Sequence, residues 1–484
     1  MKQYLDVVKY VLENGTRKEN RTGVDTLSAF NVNYTVDLKK GFPLMTTKSV
    51  SWKNIVVEML WFLSGSANLK LLEKHNCKFW DPWKDQWGHL GPVYGKQWRR
   101  WETLHLKTKN TFENNFTIKP RQKGESKKVA DVGIYTLNDR RDLPFGELLY
   151  NTWSEMLYRC YDKNRKHYKW YGGNGVHVCE RWHDFKSFVH DVQLLDGWHL
   201  KRIFPDEYSL DKDFNRSNRY GPDTCIWLSE KEQRLNNTTT KLIRVTRPDG
   251  IQFVTLDVAG VCSDYDLDVS TVHKVLKGVR KDSKNFKFSY EPYPEDTLPR
   301  VRINDQIHDV IAQLKTNSLS RRMIVSAWNP SEIHLMKLPP CHSMYVINVQ
   351  KDKYGENEIC LHLTQRSADI ALGVPYNIAS YSLLIELFAR FSGMRAGRFG
   401  HTMVDAHIYT GKPDGSMSEY DHIPGLREQL TRTPKALPKL IISDDIKCLN
   451  DVEALMKEDT ATIMSKFILE GYDPDPAIKF KVAV

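Results

Sequence analysis

QRSADIALGVPYNIASYSLLIELFARFSG, residues 365–393, puts a polar head on an apolar tail. In the head, Arg366 offers a planar fork of N–H donors and Ser367 a hydroxyl, a pair that suits a phosphate. Asn377 carries an acceptor beside a donor, so it can read a base edge built the same way, as uracil is at N3 and O4. The tail, ASYSLLIELFARFSG (379–393), reads as a long apolar helix. Before it, RRMIVSAWNP (321–330) and YVINV (345–349) read as strands, and INDQIHDVIAQLKT (303–316) as an amphipathic helix.

The same texture marks the first hundred residues. Residues 2–13 read as an amphipathic helix, 25–38 alternate like strands, and WKNIVVEMLWFLSG (52–65) is an apolar helix ending at Gly65. A Trp-rich stretch follows at 79–101. The texture then changes. Residues 107–128 are polar and Lys-rich, 145–193 are helical and aromatic, and turn signals dominate 205–240. KLIRVTRPDGIQFVTL (241–256) reads as a hairpin around Pro248-Asp249-Gly250, 269–277 as a short helix, and 291–299 as a Pro-rich acidic linker. The expected organisation is one domain, 1–101 and 301–484, interrupted by another, 102–300. Such insertion is tolerated at a surface loop.

Composition bounds the rest. The chain has 484 residues, 40% hydrophobic and 27% charged, the balance of a folded water-exposed protein of more than one domain. No apolar run reaches the length of a membrane span and no secretory leader opens the chain, so the cytoplasm is expected. The eight Cys include no CxxC pair, which leaves reduced thiols as the expectation. A formal net charge of +10 is compatible with anionic partners such as phosphates or nucleic acid.

LPPCH (338–342) sets Cys341 after two prolines and before a His. Near positive charge such a thiol becomes a strong nucleophile; an inert buried Cys is the alternative. Glu58 lies in an apolar helix, where burial would raise its pKa and fit it for proton shuttling, or where it is a satisfied structural carboxylate. His407 and Tyr409 are two apart, so they share a face if HTMVDAHIYT (401–410) is a strand. Arg321-Arg322 is a further anion-binding pair or a solvated surface feature.

RTGVDT (21–26), GPVYGKQWRRW (91–101), SRRMIVSAWNP (320–330), LPPCH, QRSADIALGVPYNIASY (365–381), DAHIY (405–409) and EGYDPDPAIKFKVAV (470–484) occur in an order that resembles the thymidylate synthase family. The resemblance implies an α/β (α+β) fold, a large mixed sheet packed on helices, and a homodimer. It implies transfer of a one-carbon unit from 5,10-methylenetetrahydrofolate to C5 of deoxyuridylate. Cys341 would attack C6. Arg21, Arg366, Ser367 and, from the other subunit, Arg321 and Arg322 would hold the 5′-phosphate. Asn377 would bind uracil, and His407 and Tyr409 the ribose hydroxyl. Glu58 would organise water for proton transfer, with Tyr94 assisting removal of the C5 proton. Trp80, Asp369, Leu372 and Tyr376 would line the folate site, Asp369 also counting with the catalytic groups, and the tail ending at Val484 would close over the ligands. Val346 stands where the family usually has Gln, and Val404 where it usually has Gly. A deoxyuridylate hydroxymethylase, in which water replaces hydride, is the alternative. Asn377 favours uracil over cytosine, and Trp80 favours hydride.

The insert resembles other proteins. TWSEMLYRCYDKNRKHYKWYGGNGVHVCERWHDFKSFVHDV (152–192) and YSLDKDFNRSNRYGPDTCIWLSEKEQRLNN (208–237) look like small phage endonucleases related to the HNH class. Leu-Asp-Lys-Asp stands where an Asp-His pair is usual, leaving Asp211, Asp213 and Asn236 as candidate ligands of a divalent metal. Residues 242–290 resemble DNA-binding modules attached to homing endonucleases. There Lys274, Lys277, Arg280, Lys281, Lys284 and Lys287 cluster with Asp282 as the one acid among them. Such a run either contacts phosphates or is a solvated basic face.

Overall fold

A computed structural model describes residues 1–20, 22–109, 128–135, 143–237 and 239–483. Arg21 and Val484, both expected at the site, lie outside the described residues, as does most of the polar stretch 107–128. The chain divides into two compact units: Met1–Trp101, Ser263–Asp266 and Asp305–Val484 form one, Glu102–Cys262 and Leu267–Asn304 the other. Among the described residues no helix is long and apolar enough to cross a membrane.

The first unit is built on a seven-stranded mixed sheet. Its strands run Thr16–Lys18, Asp25–Asp37, Arg395–Thr410, Asn357–Gln365, His342–Lys351 and Ile324–Ser326, with Ala368–Asp369 also pairing Arg395–Thr410. Most neighbours are antiparallel, but Arg395–Thr410 runs parallel to both Asn357–Gln365 and Ala368–Asp369. Parallel strands need a crossover, and the helix Gly373–Ser392 supplies it. That helix is buried along nearly its whole length and stops at Gly393, whose φ of 71° few other residues tolerate. A second buried helix, Trp52–Leu63, is capped by Ser51, which accepts from the Asn54 N–H at 3.4 Å. It ends two residues before the glycine expected to stop it. Arg99, buried in this unit, pairs with Asp305 at 2.8 Å and Glu453 at 2.6 Å.

In the second unit the helix Gly146–Tyr161 packs its Trp153, Met156 and Leu157 against Trp182, Phe185 and Trp227. Where turn signals dominate the sequence, the structure has two paired strands, Tyr208–Asp211 and Ile226–Ser229, then a helix, Glu230–Leu235. Each strand is too short for alternation to show against the surrounding Asn, Asp and Gly. The expected hairpin forms Ile243–Thr246 and Gln252–Thr255, extended by Lys287–Tyr290. The acidic stretch 291–299 is not wholly a linker: Thr297–Asn304 is a strand paired with Trp101–Thr108.

Gly91 sits at φ 83°, and a Cβ there would lie 2.1 Å from the Leu335 carbonyl oxygen. Gly91→Ala is therefore expected to cost at least about 2 kcal/mol in denaturant unfolding. A loss below about 0.5 kcal/mol would mean that the loop relaxes freely.

Candidate active site

Cys341 directly precedes the strand His342–Lys351, and its partners come from elsewhere in the chain. Its N–H donates to the Tyr94 hydroxyl at 3.0 Å. Its carbonyl accepts from the Arg366 N–H at 2.9 Å. The Arg366 guanidinium donates through Nε to the Pro340 carbonyl at 3.0 Å and through Nη2 to the Pro339 carbonyl at 2.7 Å. The two prolines thus hold a cation beside the thiol segment, while Nη1 is not among these contacts. Strand register adds a link, since His342 pairs with Gln365.

Tyr94 is buried at a φ of 33°, a strained value for a non-glycine residue. Its ring lies 5.0 Å from Phe62, 5.4 Å from Trp80 and 5.3 Å from His342. Burial and nearby Cys341 hold its hydroxyl well above the ordinary pKa. On the same side Glu58 accepts from Trp80 Nε1 at 2.9 Å. Burial pushes Glu58 up to about 7, and the Trp80 bond opposes only part of that. His342 is pulled down to about 4 by burial, so it is neutral at pH 7.

Asn377 is buried in the first turns of Gly373–Ser392, and its side chain faces the His342 ring, where it opposes part of the downward effect of burial on that ring. Asp369 Oδ1 accepts from the N–H groups of Ala371 and Leu372 at 3.0 and 3.1 Å, a turn leading into that helix. Tyr376 packs edge-on against Phe79 at 4.7 Å, and its hydroxyl accepts from the Ser51 N–H at 3.5 Å.

His407 and Tyr409 do lie two apart on one strand, with rings 5.2 Å apart. Burial lowers the His407 pKa, but Asp405 and Asp369 outweigh it and the net shift is upward. Arg321 and Arg322 are exposed in the segment before Ile324–Ser326, and no contact with the Cys341 group is recorded for them.

Two side chains, Lys48 and His422, were not legible in advance. Lys48 Nζ donates to the Ala371 carbonyl at 2.5 Å and lies 4.9 Å from the Phe480 ring, and burial draws it down to about 8. His422 Nε2 is 2.9 Å from the Lys481 carbonyl, and its ring is 4.9 Å from Phe480. The tail is docked further by Tyr472, which donates to the Met45 carbonyl at 3.0 Å, and by the Asp475 N–H on the Thr46 carbonyl at 2.8 Å. His422 lies within DHIPGL (421–426), but no local pattern there distinguishes a tail anchor.

The second unit holds a cavity of about 790 Å³ lined in part by Arg159, His167, Asp211, Asp213 and Asn236. Its geometry works against the expected metal set. Both amide atoms of Asn236 are spent on Val301, at 2.9 and 2.8 Å. Burial, with Asp213 nearby, raises Asp211 to about 6, and its Oδ1 accepts from the Phe214 N–H at 2.7 Å. Asp213 is paired with Lys212 at 2.6 Å. Among the described residues no group of three or more His, Cys, Asp and Glu could hold a metal ion.

A family model described as thymidylate synthase matches residues 2–135 and 274–484, leaving 136–273 outside it. A protein named thymidylate synthase from Listeria innocua serovar 6a is 31% identical over 484 residues, with 100% of both chains covered. One of the same name from Listeria monocytogenes serotype 4b is 32% identical over the same length and coverage.

Glu58 binds its proton more tightly folded than unfolded, since its pKa of about 7 lies above the ordinary 4.5. The stability this contributes is full below the unfolded value and is lost as pH rises through about 7. Glu58→Gln carries no such loss. Its stability relative to the parent should improve by about 2.5 kcal/mol between about pH 5 and pH 8. Parallel stability profiles would remove the buried acid from the account.

Proposed function

We propose that this chain, which belongs to the thymidylate synthase family and is a methyltransferase of it, converts dUMP to dTMP with 5,10-methylenetetrahydrofolate. The observation that carries this reading is the clamp on Cys341: Tyr94 on its N–H, Arg366 on its carbonyl, and the Arg366 guanidinium on both preceding prolines. A phosphate held by Arg366 and Ser367 then sits at a set distance from the thiol that attacks C6. The thiolate adds at C6 and the electron pair moves onto C5, which becomes the nucleophile. Asn377, beside the neutral His342 ring, presents its amide to the uracil edge and accepts from N3–H through Oδ1. Glu58, poised near 7, exchanges protons with O4 through water, and Tyr94 stands where the C5 proton is lost. His407 and Tyr409 take the ribose hydroxyl. Arg21 completes the phosphate site, with Arg321 and Arg322 of a second copy.

The bound folate supplies the one-carbon unit and the hydride. The residue types fit it: Trp80 and Tyr376 are flat and aromatic, Leu372 is apolar, and Asp369, which also holds the Leu372 N–H, can accept from a ring N–H. The docked tail, completed by Val484, excludes water. A homodimer is supported by apolar residues exposed on four strands of the sheet, Phe30, Ile324, Met344 and Val404. The cytoplasm is the proposed compartment.

With deoxyuridylate tritiated at C5, tritium release should accompany dihydrofolate formation at 340 nm. Release without dihydrofolate would make the chain a hydroxymethylase instead. Cys341→Ser should abolish release while nucleotide binding stays within about threefold. Because Trp101–Thr108 and Thr297–Asn304 pair, the ends of the insert run side by side. Deleting 103–299 and rejoining the flanks should therefore keep turnover. Loss of turnover in a folded deletion would show that the insert serves the reaction. Turnover by the deletion and none by the full chain would show that the insert disables it.

A second reading concerns the insert, which we propose binds duplex DNA. Two short helices, Val258–Asp264 and Val269–Leu276, are joined by residues 265–268, the element order of a helix-turn-helix. Asp268 caps the second helix by accepting from the Thr271 N–H at 2.7 Å. Val272 and Val275 face inward, while His273, Lys274 and Lys277 are exposed. Arg280, Lys281, Lys284 and Lys287 continue the exposed cationic surface. A gel shift at low salt should be seen, weakening steeply as salt rises, and Lys274→Glu with Lys277→Glu should abolish it. No shift at low salt would leave a solvated basic face.

A further inference from the structure

We infer that Tyr34, His401 and Gln365 form a hydrogen-bonded relay across three strands that sets the position of Ser367. The inference rests on Arg366 and Ser367 being the phosphate-binding pair. Gln365 Nε2 donates to the Ser367 carbonyl at 2.9 Å. Gln365 Oε1 lies 2.9 Å from His401 Nε2. His401 Nδ1 lies 2.8 Å from the Tyr34 hydroxyl. Gln365 and His401 are buried on the core side of the sheet, at 3% and 0% exposure.

The direction of each bond follows from the first. A carbonyl can only accept, so the Gln365 amide must turn its nitrogen to Ser367 and its oxygen to His401. That oxygen also only accepts, so His401 Nε2 must carry a proton. Burial, with His342 and His362 nearby, holds the His401 pKa well below its ordinary value, so the ring is neutral and Nδ1 is bare. The Tyr34 hydroxyl must then donate to Nδ1. The relay has one proton arrangement and no slack.

Strand pairing explains why it reaches the site. His401 and Tyr34 are direct cross-strand partners, and Leu363 faces His401, so Gln365 lies diagonally beside it. Gln365 also pairs with His342, and the next N–H, of Arg366, bonds the Cys341 carbonyl. Gln365 thus ties the nucleophile strand through its backbone and the Ser367 turn through its side chain. It is a positioning residue, as are His401 and Tyr34.

The test compares His401→Phe with His401→Gln. The first keeps ring volume but offers neither donor nor acceptor. The second restores a donor toward Gln365 and an acceptor toward Tyr34. His401→Phe should raise the KM for deoxyuridylate about tenfold with kcat within about twofold, since an orphaned buried amide costs about that much. Competitive inhibition by inorganic phosphate should weaken in parallel, the KM for the folate should not move, and His401→Gln should return the KM to within about threefold. Equal behaviour of the two variants, or an unchanged KM in a folded His401→Phe protein, overturns the relay. If His401→Phe does not fold, Gln365→Met carries the same prediction and the same refutation. Ser367→Ala is measured alongside. If it raises the KM while the relay variants do not, the relay fails and the phosphate site stands. If it leaves the KM unchanged, the phosphate reading itself fails and the relay falls with it.

Discussion

The Arg366 guanidinium rests on the carbonyls of Pro339 and Pro340, and the arrangement of the first unit around the thiol depends on that contact. Proline carries no N–H, so a Pro-Pro segment cannot complete a strand ladder. Its carbonyls still need donors when they are drawn inward. One planar cation answers both. It thereby brings positive charge to the residue that follows, Cys341, and ties the start of His342–Lys351 to the end of Asn357–Gln365. The helix Gly373–Ser392 begins a few residues later, so Asn377 falls beside His342 with no further adjustment.

Burial then sets the chemistry. Glu58 is raised to about 7, Lys48 lowered to about 8 and His342 lowered to about 4, each because enclosure disfavours its charged form. The enclosure is largely aromatic: Phe62, Trp80 and Tyr94 are in mutual contact, and Trp98 packs edge-on against Phe62. His407 is the contrast: it is buried too, but Asp405 beside it reverses the shift. The tail is held by backbone and side-chain contacts alike: the His422 ring on the Lys481 carbonyl, the Asp475 N–H on the Thr46 carbonyl and the Tyr472 hydroxyl on the Met45 carbonyl.

In the second unit Trp101–Thr108, where the chain enters it, pairs with Thr297–Asn304, where the chain leaves it. Adjacent ends let a separate unit be carried without pulling strands apart, which is why a host sheet can keep its register across a long interruption. The polarity and charge of the flanking residues marked this region in the sequence. The pairing itself was invisible there, because a two-strand ladder is a contact between distant segments, and the acidic 291–299 stretch masked the start of one of them.

Local physics was readable from the sequence alone. Apolar period and a terminal glycine marked a helix over 379–393, which begins earlier in the structure, at Gly373; alternation marked Asp25–Asp37, and the ordered motifs around Cys341, Arg366, Asn377, His407 and Tyr409 pointed to one family. Glu58 in an apolar helix already implied a raised pKa. What only the tertiary structure decided depends on distance in space rather than along the chain. That Arg366 spends two donors on prolines, that His422 and Lys48 meet the tail, and that His401 joins Tyr34 to Gln365 all follow from strand order and register. In the insert, Asn236 has the chemistry of a ligand in sequence, yet the fold commits both its amide atoms to the Val301 backbone. Side-chain type states which bonds a residue is able to make; only the neighbours brought by folding decide which of them are already made.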